Sequence, residues 1–108
     1  MAPPKSLRGE VWIVDLGMAA KIRPCLVLSI QTEPVDRVLV SLIPHTSSLQ
    51  GTRFEVKVTA KFLKADAAFD AQQILTVPQV KLVRRLGELS AADLQQVERA
   101  AKLWLALE

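Results

Sequence analysis

The chain has 108 residues, 50% of them apolar and 23% charged. This is the balance of a folded globular domain and excludes a disordered chain. Unbroken apolar stretches such as Val11–Val14 and Cys25–Leu28 fall far short of the roughly 20 residues a membrane span needs. Fourteen Lys and Arg against eleven Asp and Glu give a net charge of +3. That modest positive field favours polyanions without reaching the charge of a nucleic-acid-coating protein. The single Cys25 forms no internal disulfide. With only one His beside it, the chain lacks the ligands of the usual zinc sites, so no metal or cofactor is expected.

Residues 1–7 carry two prolines and little to bury, and read as a flexible arm ahead of one domain over 8–108. They have no apolar core behind their charge, unlike a secretory leader. Glu10–Asp15 is a β-rich run that stops at the Leu16-Gly17 turn. Pro24–Ile30, almost continuously apolar, predicts a central strand with proline at its first residue. Arg37–Ile43 predicts a third strand closed by Pro44. His45–Gly51 reads as a loop with exposed hydroxyls.

Arg53–Thr59 alternates Phe54, Val56 and Val58 with polar residues, the pattern of a half-buried strand. Ala68–Val77 predicts a fifth strand ending at Pro78, and residues 78–83 a short helical turn. Ser90 caps the one clear helix, with Asp93 in the position of a capping box. Leu94, Val97, Ala101, Trp104 and Leu105 form its apolar stripe, and core packing is the expected role of Trp104. The expected architecture is therefore mainly β, a small barrel of about five antiparallel strands with a C-terminal helix.

Five fragments in order carry a family resemblance. They are Arg8-Gly9-Glu10-Val11-Trp12-Ile13-Val14-Asp15-Leu16, Ile22-Arg23-Pro24-Cys25-Leu26-Val27-Leu28-Ser29, Ile43-Pro44-His45-Thr46-Ser47, Gln73-Ile74-Leu75-Thr76-Val77, and Arg85-Leu86-Gly87-Glu88-Leu89-Ser90. Together the chain resembles the MazF/PemK toxins of type II toxin–antitoxin systems over residues 8–107. The resemblance implies an SH3-like barrel of the MazF/PemK/CcdB kind that forms a homodimer. It also implies a cytoplasmic bacterial protein whose activity is metal-independent cleavage of single-stranded RNA, with a cognate antitoxin as partner.

Such cleavage uses the 2′-OH as nucleophile, so the protein must move protons and stabilise phosphorane charge. Arg23 matches the family's catalytic arginine, and a guanidinium can hold two phosphate oxygens. Thr46 matches the family's threonine; its hydroxyl suits a phosphate oxygen, and turn chemistry is the alternative. Ser47 is placed to assist. The family's acid–base carboxylates do not carry over: Met18 stands five residues before Arg23, and Gln72 stands before the Gln73-Ile74 pair.

His45 is the one candidate proton-transfer group with a suitable unperturbed pKa. Alternation along a strand would nevertheless turn it away from the face that bears Thr46. Lys21, Gln72, Gln73 and Lys81 are candidate RNA contacts, with Lys61, Lys64, Arg84 and Arg85 extending a basic cluster. Solvated surface roles are the alternative for the lysines. Trp12 is expected in core or dimer packing, and Cys25 reads as a small hydrophobe. Two further readings remain open. One is a member of the family that binds RNA or antitoxin with weakened or lost catalysis. The other is an SH3-like peptide-binding module, disfavoured by five aromatic residues with no tyrosine among them.

Overall fold

The computed structural model describes residues 4–17 and 22–107. Met18 and Lys21 lie outside the described residues. Among the described residues there are seven strands: β1 Glu10–Asp15, β2 Ile22–Val27, β3 Leu39–Thr46, β4 Glu55–Val56, β5 Ala68–Asp70, β6 Leu75–Pro78 and β7 Leu82–Glu88. One helix, α1 Ala91–Leu105, follows. All recorded pairings are antiparallel.

The order β7-β1-β2-β3-β6 wraps around an interior of Val14, Cys25, Val27, Val40, Leu42 and Leu82, with Leu75 and Val77 packed against them. A 3₁₀ turn at Gln79–Lys81 joins β6 to β7. The outer face of the same strands contributes Val11, Leu26 and Ile43 to a second cluster, where α1 docks through Val97, Ala100 and Ala101. Consecutive residues of β2 thus enter different clusters. This is why Cys25-Leu26-Val27 reads as continuously apolar: the strand is covered on both faces. The small pair β4–β5 extends the far edge of β3 and brings Phe54 and Phe69 under the helix.

The mainly β architecture with a terminal helix is as expected, but several boundaries move. β2 begins at Ile22 and ends at Val27, so Pro24 is internal to it. β3 runs through Pro44 to Thr46 instead of stopping before it. Its far edge pairs with β6 over residues 39–42 and with β5 over 45–46. Pro44 sits at that change of partner, where a missing N–H costs the ladder least.

The expected strand Arg53–Thr59 shrinks to Glu55–Val56, because its partner β5 has only three residues. The Glu55 carboxylate also accepts hydrogen bonds from the backbone of Gln50, Gly51 and Thr52, which turns the chain there. The expected strand Ala68–Val77 is broken by a 3₁₀ turn at Ala71–Gln73. Asp70 caps that turn by accepting from the Gln72 N–H at 3.0 Å. β7 has no counterpart among the expected strands, since its Arg84-Arg85 pair masks the alternation.

Helix α1 starts where expected, with Ser90 Oγ accepting from the Asp93 N–H at 3.2 Å. Trp104 departs from its expected core role. Its ring meets Phe54 edge-on at 5.5 Å, yet the residue stays 44% exposed. Of the expected arm, residues 4–7 are described; Ser6 is buried and the Leu7 N–H donates to Glu10 Oε1 at 2.9 Å.

Glu10 is a buried hub. Its carboxylate also accepts from Trp12 Nε1 at 3.0 Å and Arg85 Nε at 2.8 Å, tying the chain start to β1 and β7. Burial pushes its pKa up, but the hydrogen bonds from Trp12, Leu7 and Arg85 outweigh it and hold the group below the ordinary value. Its stabilisation is therefore present above the unfolded-state pKa and lost as pH falls through the lower folded value. Glu10→Gln should flatten the decline in urea-unfolding free energy below about pH 4.5. An acid decline equal to that of the parent protein would show that the hub contributes nothing to stability.

Gly87 faces the Phe62 ring, and an added Cβ would stand 2.5 Å from Cε2. Gly87→Ala should cost about 1–3 kcal/mol in chemical denaturation, with Phe62→Leu in the same chain recovering part of the loss. Strict additivity of the two substitutions would argue against this contact as the cause.

Candidate active site

The β2–β3 register pairs Cys25 with Pro44, Leu26 with Ile43 and Val27 with Leu42. Continued by two residues, the same register sets Arg23 opposite Thr46. Side chains on directly opposed residues share a face, and the two meet: Arg23 Nη1 donates to Thr46 Oγ1 at 3.1 Å. Thr46 is only 4% exposed. Its Oγ1 also accepts from the Ser48 N–H at 3.1 Å. A hydroxyl has two acceptor lone pairs and one donor. With both acceptor positions occupied, the Thr46 O–H is left to donate, beside a guanidinium that can only donate. The pair therefore presents donors alone, an arrangement that suits an anionic oxygen.

Arg23 also borders an open groove of about 680 Å³. Ile13, Pro24, Phe62 and Leu86 give the groove an apolar lining, and Lys64, Arg84 and Ser47 flank it. A cationic margin beside an aromatic surface is the arrangement that tracks a phosphate backbone and stacks bases. Lys64 and Arg84 enter as groove residues that the sequence presented only as part of a basic cluster. Arg85, their neighbour in that cluster, points the other way and pairs with Glu10.

His45 does not join the pair. It is the residue before Thr46 in an extended strand, so its side chain takes the opposite face. There it is 5% exposed, its ring 4.7 Å from that of Phe69, and Nε2 has no hydrogen-bond partner among the described residues. Its edge reaches the groove lining. Desolvation lowers its pKa, so the ring is neutral at neutral pH.

Gln73 is exposed in the 3₁₀ turn between β5 and β6, and its Nε2 donates to Asp70 Oδ2 at 2.9 Å. Because β5 and β6 both pair with β3, this turn passes alongside Pro44, two residues from Thr46. Gln72 is exposed and is fixed through its backbone N–H. Lys81 is exposed immediately before Leu82, which lies opposite Val14, itself opposite Arg23. That leaves Lys81 two strand spacings from Arg23, roughly 10 Å. Cys25 is fully buried, and desolvation pushes its thiol up to about 12, so it is a packing residue and no nucleophile. Among the described residues no three His, Cys, Asp or Glu side chains converge as metal ligands.

The chain matches the family model for PemK-like, MazF-like toxins of type II toxin–antitoxin systems over residues 7–105. It is 33% identical to the endoribonuclease MazF9 of Mycobacterium tuberculosis (strain ATCC 25618 / H37Rv), across 93% of this chain and 96% of that protein. Its fold is similar to the M. tuberculosis toxin MazF-mt6, with a TM-score of 0.74 and 27% identity over 92% of this chain and 98% of the other. It is similar too to a mycobacterial endoribonuclease solved in complex with its cognate antitoxin. That likeness has a TM-score of 0.78 at 23% identity, over 95% and 97% of the two chains, and speaks to the fold alone.

The sole histidine makes its ionisation easy to isolate. The His45 ring should titrate below 6.5 by NMR. The unfolded chain then takes up this proton first, so stability is retained above about pH 6.5 and lost as pH falls through the folded value. His45→Phe should remove that pH dependence. A ring titrating above 6.5 would contradict the burial.

Proposed function

The chain belongs to the PemK-like, MazF-like toxins of type II toxin–antitoxin systems, and we propose that it acts as their endoribonucleases do. In this reading it cleaves single-stranded RNA without a metal: the 2′-oxygen loses its proton to water and bonds to the adjacent phosphorus, the P–O5′ bond breaks, and the 5′ oxygen leaves as a hydroxyl with a proton from water. The observation that carries the reading is the Arg23–Thr46 pair at 3.1 Å beside the groove flanked by Lys64 and Arg84.

As the 2′-oxygen attacks, negative charge builds on the non-bridging phosphate oxygens. Arg23 holds those oxygens electrostatically and Thr46 donates to one of them, so both contacts strengthen toward the phosphorane. The Ser48 N–H and Arg23 keep the Thr46 hydroxyl oriented, and little reorganisation is needed at the moment of reaction. Lys64, Arg84 and Lys81 would position the backbone, and Ser47 and Gln73 would contact the substrate near the pair. His45, neutral and on the opposite face, would contact the substrate through the groove wall only.

As partners we propose a second copy of the chain and a cognate antitoxin that covers the basic groove. No helix among the described residues is long and apolar enough to cross a membrane. A cytoplasmic location agrees with an RNA substrate. Met18 and Gln72, in place of family carboxylates, favour a second reading in which RNA or antitoxin binding persists and catalysis is weakened.

The purified protein, given a long single-stranded RNA in EDTA, should leave 2′,3′-cyclic phosphate ends. Arg23→Ala should lower the rate by roughly 10²–10³-fold. Thr46→Val should lower it by about tenfold, for loss of one hydrogen bond. Folded protein that binds RNA and leaves it intact would establish the second reading. Cleavage unaffected by Arg23→Ala would remove this mechanism.

A further inference from the structure

Asp70 is buried, at 8% exposure, at the end of β5. One carboxylate oxygen accepts from the Gln72 backbone N–H at 3.0 Å, and the other accepts from Gln73 Nε2 at 2.9 Å. The first bond accounts for the turn. The second fixes an exposed side chain, which a turn does not require. A primary amide can present either its NH₂ donors or its carbonyl acceptor, and in solution it rotates freely between them. A carboxylate has only acceptors, so the group facing Asp70 must be the NH₂. The carbonyl oxygen Oε1 makes no hydrogen bond to the described residues, and Gln73 is exposed in a turn that runs alongside Pro44, two residues along β3 from Thr46.

We propose that Asp70 is a positioning residue that fixes the polarity of Gln73, so that Oε1 selects an RNA base with an amino group at purine C6 or pyrimidine C4 over one with a carbonyl there. The inference rests on the RNA-cleaving reading of the same site and assigns part of its base choice. Adenine and cytosine carry an amino donor where guanine and uracil carry a carbonyl acceptor. Oε1 accepts from the former and faces an oxygen lone pair on the latter. Single-stranded RNA exposes these base edges to side chains. Gln73 is close enough to the Arg23–Thr46 pair for the selected base to lie within a nucleotide or two of the broken bond, since two residues of strand span about 7 Å.

The test uses Asp70→Asn. The new amide can still accept from the Gln72 N–H through its oxygen, so the turn keeps its cap. Its NH₂ then faces Gln73, whose amide must rotate to accept, turning its own NH₂ outward. The polarity read by the substrate is inverted with little change of shape.

Cleavage sites of the full chain are mapped by sequencing the ends of a randomised single-stranded RNA. The parent protein should show one position near the break where adenine and cytosine exceed guanine and uracil by about five- to tenfold, the worth of one hydrogen bond. Asp70→Asn should shift that position toward guanine and uracil, and Gln73→Ala should flatten it among the cuts that are made, at whatever overall rate. A parent protein that leaves RNA intact removes the RNA-cleaving reading, and this inference with it. An active parent whose site distribution survives both substitutions overturns the inference alone, as does a parent with no amino-over-carbonyl preference at any position. Folded variants that lose all cleavage would place the pair in catalysis instead of base choice and also overturn it. If Asp70→Asn fails to fold, Gln73→Ala alone decides, by flattening or sparing the preference.

Discussion

The register between β2 and β3 is the constraint on which the rest of the site depends. Cys25 opposite Pro44 places Arg23 opposite Thr46, and the two side chains meet at 3.1 Å. A slip of one residue would exchange the faces of an entire strand. Arg23 would then face Ser47 or His45, and Cys25 and Val27 would leave the barrel interior. The register is held because both faces of these strands are apolar and packed, with Cys25 and Val27 inside and Leu26 beneath the helix. Packing on two sides thus fixes a polar contact at the strand ends.

β3 is the organising strand of the molecule. One edge holds β2, while the other is shared between β6 and β5. That sharing forces a turn between β5 and β6, and Asp70 supplies its cap. The same turn carries Gln73 to the neighbourhood of Thr46. A break that interrupts one long apolar run therefore also sets an exposed glutamine alongside Pro44, two residues from Thr46.

Charge is divided by alternation along β7. Arg84 faces the groove, whereas Arg85 folds back on the buried carboxylate of Glu10. Neighbours that form one cationic cluster on paper are put to different uses, one lining the groove and the other paired with a buried carboxylate. His45 and Thr46 are separated by the same period-two geometry. The only imidazole of the chain is consequently packed on Phe69, and the hydroxyl beside it joins the arginine.

The sequence by itself determined the mainly β class, the first strand at Glu10–Asp15, and the helix with its Ser90 cap, while the family resemblance of the Arg-Pro and Thr-Ser motifs singled out Arg23 and Thr46. These are local signals: strand alternation, a cap residue and short motifs that require no knowledge of distant partners. It could not place the ends of β2 and β3, the shortness of β4, the break at Asp70 or the existence of β7. Each depends on how long a partner is and which edge it occupies, and the local chain does not encode that. Tertiary structure alone decided that Trp104 remains 44% exposed at the helix end while Glu10 is buried among three donors. It alone decided that Gln73 is held by Asp70 and that His45, on the face alternation gives it, is buried against Phe69. The physical reason is common to all four: burial and hydrogen-bond partnership are properties of pairs, and those pairs are made only when the sheet closes and the helix docks.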